Sequence, residues 1–469
     1  MIPHRRSGPR IGLLVGALLM ALLATALPAG AADRRAPSPV PTTPLFSMRR
    51  LPELLLGAVA DPKYDAALDT FFSKVAGDAC AVVEQNGRII YSRSPASGLA
   101  PASTIKLLTA TAALDVLGPD STLTTRIVAG REPVDGVVEG DLTIIGAGDP
   151  LLVTAGYRQS LEDPDQRTED FGAVADAIVA AGVRQVTGRI VGDDSALDRT
   201  RWLPSWPTRY QIGGVVGPLS ALMVNDGQTG FTETPTRPNA DRRPGDPPAL
   251  AAATLRTLLI DRGVQVTGDA AAGRAPEDPV EVATFESVPI RDIVAEMLTD
   301  SDNTTAELLT RLMGQRASGA GTTAAGLAAI RSTLRAMGLP IDPVVMVDGS
   351  GLDTSNRVTC PMLIEVLHRS GPDGPIGTGL AIAGRTGTLR KRLLDSATAG
   401  RLRAKTGTLA TVNALAGFAE PRAGSTLTFA MIQNGSDPRG TGVTDGFAEQ
   451  VVTFGQGPRL DALSPRPAR

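Results

Sequence analysis

Eight residues constrain this chain more than any others: Pro101-Ala102-Ser103-Thr104-Ile105-Lys106-Leu107-Leu108. They predict a loop turning into an apolar helix, with Ser103 at the helix start and Lys106 one turn on. Residues three apart share a helix face, so the hydroxyl and the amine can meet. A serine at a helix N-terminus also sits among free backbone N–H groups, which stabilise developing negative charge. One turn thus offers a nucleophile, a candidate base and half of an oxyanion hole. The competing reading is a serine N-cap followed by a surface lysine, a common pattern.

Lysine usage separates these readings. Of 46 lysines and arginines, only Lys63, Lys74, Lys106, Lys391 and Lys405 are lysine. Arginine keeps its proton at any working pH, whereas a buried lysine loses its own readily. A lysine in an apolar helix behind a serine is therefore a chemical choice in a chain that otherwise uses arginine. None of the other four has a serine three residues before it.

The 469 residues suffice for two or three domains, and the net charge of −3 excludes the basic footprint of a nucleic-acid binder. Arg5, Arg6 and Arg10 precede an apolar run over 11–27, followed by Pro28 and Ala29-Gly30-Ala31. This is the pattern of an export signal cleaved after Ala31; the alternative is an uncleaved anchor. With the signal removed, no integral membrane span is expected. Cys80 and Cys360 are the two cysteines, and either a disulfide or two buried thiols fits them. The histidines are His4, in the signal, and His368. No zinc site can be built from usual ligands, so no metal and no cofactor are expected. The same scarcity argues against a Ser-His-Asp triad, and His368 reads as a surface residue of a helix.

Residues 32–59 contain a Pro-rich linker, and 65–75 have helical spacing. Apolar runs at 80–83 and 88–91 flank Asn86-Gly87, a hairpin signal. The helix after Ser103 should stop at Gly118-Pro119. Strands are predicted at 123–128, 137–138, 141–145 and 185–191, with a helix at 171–181. A second helix at 249–260 leads into Gly263-Val264-Gln265-Val266-Thr267-Gly268, which echoes Gly182-Val183-Arg184-Gln185-Val186-Thr187-Gly188. Either a duplicated piece or coincidence explains the echo. The stretch 235–248 reads as a mobile Pro-rich loop. Long helices are expected at 290–298, 306–313 and 324–337. An antiparallel meander follows at 402–408, 414–419 and 427–432, then a helix at 447–452.

The helix from 290 leads into Ser301-Asp302-Asn303, and the meander opens with Lys405-Thr406-Gly407-Thr408. Each motif is weak alone. Together with Ser-x-x-Lys, in this order, they form the three-part set of penicillin-recognising serine enzymes. Arg385-Thr386-Gly387-Thr388 imitates the third motif but lacks a removable proton, so the later copy is preferred. The chain resembles low-molecular-mass penicillin-binding proteins of the D-alanyl-D-alanine carboxypeptidase/endopeptidase group. Gly146-Ala147-Gly148-Asp149-Pro150, Leu219-Ser220-Ala221-Leu222 and Asp348-Gly349-Ser350-Gly351-Leu352 support the likeness. The 195 residues from Lys106 to Ser301 exceed the interval of class A β-lactamases and imply an insertion.

The resemblance implies an α/β (α+β) fold, an antiparallel sheet flanked by helices. The catalytic domain would combine 60–120 with 288–460, around an inserted strand-rich domain at 121–287, with a signal at 1–31 and a tail at 461–469. Ser103 would attack the D-Ala-D-Ala carbonyl to form an acyl-enzyme. Lys106, kept neutral by nearby cationic charge, would take the hydroxyl proton, and Ser301 would relay a proton to the leaving amine. Asn303 would bind the substrate backbone. Lys405, Thr406 and Thr408, with Gly407 between them, would hold the terminal carboxylate, and the N–H groups of Ser103 and Thr408 would form the oxyanion hole. The implied partners are peptidoglycan stem peptides and β-lactams, in an exported, extracytoplasmic protein. A β-lactamase or related serine esterase, or a non-catalytic wall-binding protein, is the alternative.

Overall fold

The computed structural model describes residues 52–229, 243–394, 396–421 and 426–454. The signal, most of the linker and the tail lie outside the described residues, as does most of the 235–248 loop. By internal contacts the chain forms two units, Met1–Leu55 and Leu56–Arg469. The elements named here belong to the second, save the first residues of the helix Pro52–Phe72.

A six-stranded antiparallel sheet organises the fold. Its order is Ala381–Ile382, Leu402–Leu409, Val412–Ala419, Leu427–Asn434, Asp78–Gln85 and Arg88–Arg93. The Asn86-Gly87 hairpin and the terminal meander form as their sequences predict, and Asp78–Gln85 pairs along its whole length with Leu427–Asn434. The first and last parts of the chain thereby share one sheet.

Both faces of that sheet are covered, which is why Val412–Ala419 is buried throughout and, save for Asn413, apolar rather than alternating. On one face Val82, Ala414, Ala416, Ala430 and Ile432 pack in the core that holds the helices Lys106–Val116, Ile290–Thr299, Asn303–Ser318 and Cys360–Ser370. On the other, Val83, Leu415, Phe429 and Met431 meet Leu68 and Phe72 of the first helix and Phe447 and Val451 of the helix Gly442–Val452. Phe72 stacks on Tyr91 at 5.9 Å, and Phe447 meets Phe429 edge-on at 6.0 Å. The first of these cores carries the serine and lysine of the opening motif.

Between residues 120 and 287 the chain builds other sheets. A five-stranded one has the order Ala270–Ala272, Ile190–Asp193, Leu142–Ile145, Thr124–Ala129, Val280–Glu286. A small parallel one joins Gln265–Val266, Gln185–Val186 and Val137–Val138. The echoed segments lie side by side, with Gln265 opposite Gln185 and Val266 opposite Val186. The expected strand at 185–191 is in fact two, Gln185–Val186 and Ile190–Asp193, because the chain passes from the small sheet to the large one at Gly188. Pro247 and Pro248 belong not to a loop but to the first turn of the helix Pro247–Asp261, where a missing N–H costs nothing.

The chain leaves and re-enters side by side. Ser287 N–H donates to Leu123 O (3.0 Å), Ile290 N–H to Ser121 O (2.9 Å) and Arg291 N–H to Pro119 O (3.0 Å). Cys80 and Cys360 are bonded, tying the sheet to the helix Cys360–Ser370 across 280 residues. His368 lies exposed on that helix, its Nε2 2.9 Å from Glu84 Oε1. Among the described residues, no helix is long and apolar enough to cross a membrane.

Candidate active site

Ser103 does not start an α-helix. It lies in a 3-10 turn, Ala102–Ile105, and the α-helix begins at Lys106 with no side-chain cap. The tighter turn still puts the two side chains together, since 3-10 residues three apart eclipse. Lys106 Nζ is 3.0 Å from Ser103 Oγ. Ala102, just before the serine, has φ +46° and Ser301 has φ +65°. Left-handed backbone at non-glycine residues is strained and concentrates at functional sites. Here it lies at Ser301 itself and at the residue before Ser103.

Lys106 is fully buried, and its amine has two further partners, Asn303 Oδ1 at 2.7 Å and the Ser350 carbonyl at 2.6 Å. Burial pushes this lysine down to about 8, against the opposing pull of Asp302, Asp348, Glu307 and Glu296. The cause is thus desolvation, and the expected neighbouring cation is not what lowers it. Lys405 is also fully buried and lies well below the usual lysine range, from burial first and repulsion by Lys106 second.

Five of the predicted residues line one cleft of about 520 Å³: Ser103, Ser301, Asn303, Thr406 and Thr408. Lys106 sits behind Ser103. Lys405 and Gly407 are buried instead, and Lys405 Nζ donates to Thr406 O at 2.9 Å. At Gly407 a Cβ would lie 2.7 Å from Pro101 O and 3.2 Å from Ala102 Cβ. Only a glycine lets the strand Leu402–Leu409 press against the turn that carries Ser103. Asn303 is engaged at both ends, its Nδ2 donating to Val215 O at 2.7 Å.

Sequence reasoning missed other contributors. Ser350 acts through its main chain, which has no residue signature. Thr388, in the rejected imitation of the third motif, lines the cleft, and its Oγ1 accepts from Thr406 Oγ1 at 2.9 Å. Arg209, Tyr210 and Val215 line the cleft from the segment between the first two motifs. Trp206, from the same segment, donates Nε1–H to Asp348 Oδ2 at 2.9 Å. Among the described residues, no group of three or more His, Cys, Asp or Glu side chains could hold a metal ion.

Known proteins are similar to this chain in sequence and fold. The family described as "D-Ala-D-Ala carboxypeptidase 3 (S13) family" matches residues 65–243 and 236–453. A D-alanyl-D-alanine carboxypeptidase from an Actinomadura species is 29% identical, covering 87% of this chain and 90% of its own. Carboxypeptidase DacB of Mycolicibacterium smegmatis is 30% identical, over 95% of this chain and 96% of its own. The crystal structure of penicillin binding protein 4 from Haemophilus influenzae shares the fold, with a TM-score of 0.67 at 19% identity, covering 82% of this chain and 99% of that one. With the serine–lysine pair and the cleft beside them, these matches establish that the chain belongs to the D-Ala-D-Ala carboxypeptidase 3 (S13) family of serine peptidases.

Proposed function

We propose that this chain is a serine D-alanyl-D-alanine carboxypeptidase acting on peptidoglycan stem peptides, with Ser103 as nucleophile and Lys106 as base. The single observation that carries the assignment of roles is the environment of the Lys106 amine. A neutral amine has two N–H bonds and one lone pair. The Ser350 carbonyl and Asn303 Oδ1 accept the two N–H bonds, so the lone pair faces Ser103 Oγ, 3.0 Å away. A lysine at about 8 is half in this state at pH 8, close to the range where a base is most effective.

The steps follow. Ser103 Oγ attacks the carbonyl of the D-Ala-D-Ala bond and passes its proton to Lys106. The Ser103 and Thr408 N–H groups face the resulting oxyanion. The C–N bond breaks as Ser301 delivers its proton to the departing D-alanine nitrogen and takes the proton held by Lys106, which returns to the neutral amine. Water then hydrolyses the ester and regenerates Ser103. The described lining of the cleft carries Arg209 and Arg392 and no carboxylate, a surface suited to an anionic peptide terminus. Thr408 offers its hydroxyl to that carboxylate, the Thr406 hydroxyl turns to it from Thr388, and the carboxylate charge favours the protonated form of Lys405 behind them. β-Lactams enter the same path and halt at the acyl stage.

The domain division belongs to the same proposal: 60–120 and 288–460 form the catalytic body, and 121–287 leaves and returns through adjacent strands. Export is supported by the arginine–apolar–small-residue pattern before Ala31 and by the Cys80–Cys360 disulfide, which suits an oxidising compartment.

The test is product analysis. The pure protein is incubated with a pentapeptide ending in D-Ala-D-Ala, with cross-linked muropeptides and with penicillin. Release of D-alanine from the pentapeptide is expected. Cleavage of the cross-link would add endopeptidase action. Rapid turnover of penicillin with no peptide cleavage would instead make the protein a β-lactamase.

A further inference from the structure

Behind the lysine lies a carboxylate that none of the three motifs contains. Glu307 is one helical turn past Asn303 on the helix Asn303–Ser318 and is fully buried. Its Oε1 accepts from both Gly349 N–H (2.9 Å) and Ser350 N–H (2.8 Å). The next N–H, of Gly351, donates to Asp348 Oδ1 at 2.8 Å. Residue 350 is thus held on both sides of the carbonyl that contacts Lys106. The loop is also pressed onto the nucleophile's turn. Gly351 has φ +87°, and a Cβ there would fall 2.0 Å from Ala102 O.

We infer that Glu307 is a positioning residue for acyl transfer: it fixes the Ser350 carbonyl against Lys106, and its charge sets the balance between amine and ammonium in that lysine. The inference rests on the proposal that Lys106 is the base. The direction of the lysine lone pair depends on both N–H bonds being occupied. If the Ser350 carbonyl swung away, an N–H could turn towards Ser103 and the lone pair would miss the hydroxyl proton.

The electrostatics point the same way. Lys106 is faced by Asp302, Asp348, Glu307 and Glu296, and it repels Lys405. Glu307 is faced by Asp348, Arg311 and the Ser350 hydroxyl. Burial and the nearby Asp348 push Glu307 up to about 7. Its charge therefore changes in the range where Lys106 must give up a proton. Each ionised Glu307 favours the ammonium, and each protonated one favours the amine. Packing alone does not account for an acid here. A fully buried carboxyl beside Asp348 loses its hydration and meets like charge, and both work against stability.

The experiment measures the acylation rate by a fluorescent penicillin from pH 5 to 10, with thermal unfolding in parallel. It uses the wild-type protein, Glu307→Gln, Glu307→Ala and Lys106→Ala. Glutamine retains a carbonyl for both amides but carries no charge. The Glu307→Gln protein is expected to unfold no earlier than wild type. Its acid limb should move to lower pH by roughly one unit. Glu307→Ala frees the loop and should lower the plateau rate on the order of a hundredfold. If the alanine protein does not fold, the limb of the glutamine protein decides. An acid limb that stays in place in Glu307→Gln, or a wild-type plateau in a folded Glu307→Ala, overturns the inference. The two proposals fail differently: Lys106→Ala acylating at the wild-type rate removes the base itself. An inactive Lys106→Ala beside an unmoved Glu307→Gln limb removes only the role of Glu307.

Discussion

Replacing Lys106 with arginine keeps a cation and removes the proposed base. The site holds the lysine amine at 2.6, 2.7 and 3.0 Å from three oxygens, with no exposed surface. A guanidinium is larger and does not deprotonate there. Overpacking a filled core costs about 1–3 kcal/mol. A second cost depends on pH. Lys106 is lowered from 10.5 to about 8, so the unfolded chain binds more protons than the native one between those values. Wild-type stability therefore rises with pH across that window, and arginine forfeits the gain. The stability gap should widen from pH 8 towards pH 10. Loss of general-base catalysis removes roughly 10²–10⁴-fold in rate. Acylation by a fluorescent penicillin should fall by about a thousandfold, and the residual rate should lose the rise through pH 8. The assay is stopped-flow or gel-resolved labelling from pH 6 to 10, with thermal melts at each pH. An arginine protein within tenfold of wild type, with the same acid limb, would refute the reasoning.

Three other outcomes follow from the structure. Glu169 and Asp149 are buried together, and burial followed by the charge of Asp149 raises Glu169. The native state therefore holds a proton that the unfolded chain releases from about pH 4 upward, and stability falls as pH rises through that window. Glu169→Gln, which can still accept from Val288 N–H, should melt higher than wild type at pH 8 and equally at pH 4; the reverse order would contradict the pairing. Replacing both Cys80 and Cys360 with alanine should cost about 2–5 kcal/mol in denaturant unfolding, and an unchanged midpoint would show that the cross-link adds nothing. Trp206→Phe keeps the ring but removes the donor to Asp348, so acylation should slow about three- to tenfold with little change in melting, through loosening of the loop that holds Ser350; a wild-type rate would disconnect that tryptophan from the site.

The parts of the site legible in the sequence were those made of side chains with rare chemistry close together. Ser103 and Lys106 are one turn apart, and Ser301, Asn303, Thr406 and Thr408 come in short motifs. The six-stranded sheet was legible where turn residues bracket apolar runs, as at Asn86-Gly87. The remainder depended on contacts between distant segments. The Ser350 carbonyl is a main-chain acceptor, and no residue type marks it. Glu307 reads as an ordinary helix residue until its neighbours across the core are seen. Thr388 was set aside because Arg385 cannot act as a lysine, yet the hydroxyl three residues later reaches Thr406. The split at Gly188 arises from a change of sheet, which strand-forming residues on both sides of the glycine conceal. The cause of the low Lys106 value also needed the fold, since burial is a property of packing.

The most direct measurement is to trap the acyl-enzyme with penicillin, digest it and locate the added mass by tandem mass spectrometry. One penicilloyl group per chain is predicted, on the peptide carrying Ser103, and none on Ser103→Ala protein that melts like wild type. An adduct on Ser301 or another residue, or full labelling of the Ser103→Ala protein, would contradict the assignment of Ser103 as the nucleophile.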